Sequence, residues 1–81
     1  MELTRDDIKR FMEKHNYHTQ KEVSIPKEQL KKFTKKELVC LIALGTMKMR
    51  SVDGSIENAN CWATETKQTI LKEYFHIKEV H

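Results

Sequence analysis

Apolar residues fall at helical spacing over most of the chain, and at one place they run together. Ile8, Phe11 and Met12, with His15 on the same stripe, follow the i, i+3, i+4, i+7 rhythm of a helix with one buried face. Thr4 precedes them as an N-cap, and Asp6 and Asp7 place negative charge in the first turn, so the pattern predicts a helix from about Arg5 to His15. Asn16 and Tyr17 read as its stop.

The seven residues Leu38-Val39-Cys40-Leu41-Ile42-Ala43-Leu44 have no polar face at all. A helix of that kind must be wrapped by the rest of the chain or by a second copy. Thr34-Lys35-Lys36-Glu37 before it is a capping box, in which the Thr hydroxyl accepts from the third amide of the helix and the Glu carboxylate from the Thr amide. A central helix over about 35–49 follows, with Gly45 inside it as a mark of close backbone approach or a kink.

Ala59, Trp62, Ala63, Thr66, Ile70, Tyr74 and Ile77 share a third stripe, which predicts a last helix from about Ile56 or Ala59 to Phe75 and a frayed tail from Lys78. The remaining pieces are short. His18 to Ile25 is a connector or a brief extended segment. Pro26, at a first helical position, opens one or two turns ending near Phe33, with Leu30 and Phe33 inward. Ser51 to Ser55 is a turn, either joining two antiparallel helices or making a hairpin at Asp53-Gly54; the flanks hold few β-branched residues, which favours the helix connection. The predicted fold is all-α: one domain over 1–81, a small bundle of three longer helices and one short helix around the central apolar one.

Composition narrows the function by exclusion. The 81 residues hold two glycines, so no phosphate-cradling glycine loop or dinucleotide fingerprint is present, and no nucleophile motif such as G-x-S-x-G occurs. Cys40 is embedded in the apolar run, where a thiol is hidden and hard to ionise, and Cys61 has no base beside it in sequence. His15 and His18 form an H-x-x-H, with His76 and His81 near the C-terminus, but three or four converging ligands are not written. No enzyme, no metal and no cofactor is expected.

Two cysteines outside any C-x-x-C pair read as reduced thiols of a cytoplasmic protein. The charged N-terminus lacks a signal-peptide core, and no apolar run approaches the ~20 residues that cross a bilayer, so no membrane association is expected. The Lys-, Glu-, Ile- and Asn-rich usage hints at an AT-rich source such as a mobile element or phage.

What remains is binding. Net charge is only +3, from twelve lysines and three arginines against 12 acids, a balance unlike that of a strong non-specific nucleic-acid binder. Phe75 lies off the Ile70–Tyr74 stripe, Met47 and Met49 cannot face the same way, and Trp62 adds a further large apolar side chain; these four are candidates for a partner-binding patch. The leading expectation is a small non-enzymatic regulatory or inhibitory protein that binds another protein, with a homodimer as a natural supplement to a small core. The alternative is a nucleic-acid-binding regulator of plain or winged helix-turn-helix kind. It would use the basic cluster Lys27, Lys31, Lys32, Lys35 and Lys36 with Lys48 and Arg50, and Asp53-Gly54 would be its wing.

Overall fold

A computed structural model of the chain describes residues 2–15, 25–47 and 49–78, and among them every regular element is helical. In chain order these are α1 (Arg5–Lys14), α2 (Lys27–Lys32), α3 (Lys35–Thr46), α4 (Val52–Trp62) and α5 (Lys67–Glu73). All share one hydrophobic core, centred on the apolar run of α3, in which Leu38 to Leu44 are all buried. Ile8 and Phe11 of α1, Leu30 and Phe33 around α2, Ala59 and Ala63 of α4, and Ile70, Leu71 and Ile77 around α5 pack onto it.

Both predicted helix starts are built as the sequence indicates. Thr4 and Asp7 form a capping box on α1, and Thr34 and Glu37 form one on α3. Pro26 stands one place earlier than expected, as the N-cap of α2 in extended geometry, because the ring fixes φ while ψ remains outside the helix.

The C-terminal half departs from the expectation in three ways, each traceable to a hydroxyl. α3 stops at Thr46 and not near Met49, where the Thr46 hydroxyl turns back to donate to the carbonyls of Ile42 and Ala43. Asp53-Gly54 is not a turn: Ser51 is an N-cap whose hydroxyl accepts the Gly54 N–H at 3.1 Å, so both residues belong to the first turn of α4. The chain therefore reverses between the end of α3 and the Ser51 cap, and no strand or hairpin wing exists among the described residues. The predicted last helix is two helices. The Thr64 hydroxyl donates to the Cys61 carbonyl at 2.8 Å as α4 closes, and the Thr66 hydroxyl accepts the Thr69 N–H to open α5. A stripe of apolar spacing survives this break because α5 restarts with its apolar side again toward α3.

α4 lies along α3 more extensively than any other helix does. Its buried face is a row of small residues, Ser55, Ala59 and Ala63, one turn apart, which lets the two backbones approach closely. Before α1, Leu3 is buried and its N–H donates to the Asn60 side-chain oxygen at 2.7 Å, tying the N-terminal segment to α4. At the other end, His76 adopts the left-handed region at φ 57°, which brings the Ile77 N–H to the Leu71 carbonyl at 2.9 Å and returns the Ile77 side chain to the core.

Candidate functional site

An apolar groove of about 420 Å³ runs beside α1, floored by Ile8, Met12, Met47 and Val52 and edged by Arg5, Lys9 and Glu13. It exists because the stop at Thr46 and the cap at Ser51 leave only a short connection between α3 and α4, so that Met47 after α3 and Val52 at the head of α4 both face α1. Arg5, on the groove's edge, is fixed by Asp53 of α4 at 2.8 Å. Between Met47 and Val52 in sequence stands Met49, 85% exposed, the most exposed large apolar residue described.

The four residues singled out as partner-binding fall in different places. Met49 is on the surface and Met47 lines the groove while half-buried against the core. Trp62 and Phe75 are half-buried and pack on the core, joined by Tyr74 into an edge-to-face row with ring centroids 5.4 and 4.9 Å apart. Phase alone could not show this, since the bend after α5 brings Phe75 inward. Ile8, Met12 and Val52 of the groove were legible only as stripe or turn residues.

The basic cluster is divided by the fold. Lys36 turns to Asp7 at 3.1 Å, and Lys31 lies 3.6 Å from Glu28. Lys32 is exposed and Lys35 half-exposed, Arg50 stands in the α3–α4 connection, and Lys48 lies outside the described residues. Lys27 and Lys31 instead meet residues from the end of the chain: with Glu28, His76, Ile77 and Lys78 they line a polar cleft of about 440 Å³. A second cleft of about 320 Å³ shares His76, Ile77 and Lys78 and adds Lys72.

Two carboxylates sit in cationic surroundings. Asp7 is held below the usual range first by the Thr4 amide and then by Lys36. Glu37 is also lowered: partial burial opposes its charge, but the Thr34 amide, the His15 ring, the Thr34 hydroxyl and Lys14 together outweigh it. Cys40 is buried, and that desolvation pushes its thiol up to about 12, which removes it as a nucleophile at neutral pH. Cys61 is free and exposed. His15 rests between Phe11 and Phe33 with centroids 4.6 and 5.2 Å away, while His18 and His81 lie outside the described residues. Among the described residues no three His, Cys, Asp or Glu side chains gather as metal ligands, and no helix is long and apolar enough to cross a membrane.

Comparison with protein-family models, curated proteins and solved structures finds no match for this chain.

Proposed function

We propose that this is a small regulatory or inhibitory protein without catalytic activity, which acts by seating an amphipathic helix of a partner protein in the groove beside α1. The observation that carries the reading is the groove's apolar floor of Ile8, Met12, Met47 and Val52, with exposed Met49 in the connection that follows Met47. Methionine suits such a surface, being flexible and polarizable enough to fit an irregular ligand. Arg5 on the edge is already paired with Asp53 and Glu13 carries a negative charge, which leaves Lys9 as the cation a ligand can meet, so a ligand with an acidic residue flanking its apolar stripe is matched to it. A second copy of this chain brings a net +3 of its own, which makes it the poorer occupant. Two free thiols support action in the reducing cytoplasm.

Selection from a displayed peptide library, followed by methyl NMR of methionine-labelled protein, tests the reading. Enriched peptides should carry acidic flanks, shift the Met12, Met47 and Met49 methyls, and lose at least tenfold in affinity to Met49→Asp at unchanged stability. Enrichment of nothing, or of ligands that leave those methyls unmoved, would overturn it. A dimer by light scattering that Met49→Asp dissolves would replace the foreign partner with a second copy.

A further inference from the structure

The two clefts at the junction of α2, α5 and the segment after α5 share no residue with the groove beside α1. Four ammonium groups line them, Lys27 and Lys31 from α2, Lys72 from α5 and Lys78 beyond it, against one carboxylate among the described residues, that of Glu28. The clefts adjoin through His76, Ile77 and Lys78, so the positive charge forms a continuous trough contributed by three parts of the fold. None of this is written in consecutive sequence: only Lys27 and Lys31 belong to the lysine-rich stretch.

We infer that this trough binds the phosphate backbone of duplex nucleic acid, without reading base sequence. The cations are all lysines, compact point charges suited to phosphates and lacking the planar fork with which arginine reads guanine. Among the described residues no Phe, Tyr or Trp lines either cleft, and the His76 ring alone makes no run of stacking platforms for successive bases, so a single strand has no advantage over a duplex. A lipid surface fits less well, since among the described residues the only apolar one lining the trough, Ile77, is buried and offers nothing to insert. His76 adds a polar ring to both clefts from a left-handed backbone conformation that is unfavourable for a non-glycine residue, and strain of this sort gathers at functional sites.

Fluorescence anisotropy of a short mixed-sequence DNA duplex titrated with the full chain is the test. Four lysine contacts predict a slope of log affinity against log salt of about −3 to −4, equivalent to roughly 100-fold weaker binding on going from about 50 to 200 mM salt. Lys72→Gln with Lys78→Gln, both at exposed positions, should reduce that slope by about 2, and Lys27→Gln with Lys31→Gln should do the same where circular dichroism shows the fold retained. Lys32→Gln with Lys35→Gln, in the same sequence cluster but outside the clefts, should leave it unchanged. No binding at low salt, an unmoved slope in Lys72→Gln/Lys78→Gln, or an equal loss from Lys32→Gln/Lys35→Gln would overturn the inference. So would equal binding to anionic phosphatidylserine vesicles or a clear preference for the single strand.

Discussion

Glu37 Oε2 accepts the His15 ring N–H at 3.0 Å, and the same carboxylate caps α3 through the Thr34 amide at 3.1 Å. Asp7 repeats the arrangement in the other direction: it caps α1 through the Thr4 amide at 2.9 Å and binds Lys36 of α3 at 3.1 Å. Each helix start thus donates its capping acid to the neighbouring helix, so local capping and the packing of α1 on α3 depend on the same two carboxylates.

Acid should therefore loosen the fold in a defined window. Both carboxyls titrate below their ordinary values of 3.8 and 4.5 when folded, so their contribution to stability is complete above those values and is lost as pH falls through the lowered ones. Denaturant midpoints from pH 7 to pH 2 should be flat at first and then drop below about pH 4.5. Asp7→Asn with Glu37→Gln should start less stable and show a shallower acid limb. A limb of undiminished steepness in that variant would assign acid sensitivity to other groups.

Ser55 is wholly buried against α3, and its hydroxyl has no hydrogen-bond partner among the described residues. Leaving a buried donor unsatisfied costs about 1–3 kcal/mol, offset in Ser→Ala by the small volume lost. Ser55→Ala should raise stability by about 0.5–1 kcal/mol, visible as a few degrees in the thermal midpoint, whereas Ser55→Leu should push α4 off α3 and cost several times more.

Glycine exchanges at two positions should act in opposite chemical directions with the same sign. Gly45 lies within α3, and a Cβ there would meet only Tyr74 Oη at an ordinary 3.8 Å, so Gly45→Ala should add up to about 1 kcal/mol through helix propensity. His76 holds a left-handed φ, so His76→Gly should add about 0.5–1 kcal/mol and His76→Val should subtract more. Chemical unfolding of the three variants checks both arguments.

The thiols should separate by rate. Cys61 is exposed and should react with an aromatic disulfide reagent at the rate of a small thiol, while buried Cys40 should react only through opening of the core. Two fast thiols in the native protein would contradict the burial of Cys40.

Much of the architecture was written in the sequence. The apolar run of α3, the capping box at Thr34, the N-cap at Thr4 and the α1 stripe through Ile8 and Phe11 are local signals that the packing obeys. The break at Thr66 and the cap at Ser51 were obscured because serine and threonine serve equally in helices, caps and turns, and which role each takes depends on what its hydroxyl can reach. The binding surfaces were hardest to foresee. The groove depends on Met47 and Val52 being turned toward α1, and the trough on His76 and Lys78 meeting α2 across a long sequence separation, with Lys72 in the adjoining cleft. Lysines 32, 35 and 36 are adjacent in sequence to the right residues but diverge in space.

The bond from the Leu3 amide to Asn60 bridges 57 positions. Closing a loop of that length carries an entropic cost of a few kcal/mol, which is recovered only once α1, α3 and α4 already occupy their places. The N-terminal segment should accordingly seat late during folding and release early during partial opening. Protease nicking near Leu3, or faster exchange of its amide in Asn60→Ala, would report that release before any helix melts, making this end of the molecule its most sensitive gauge of native integrity.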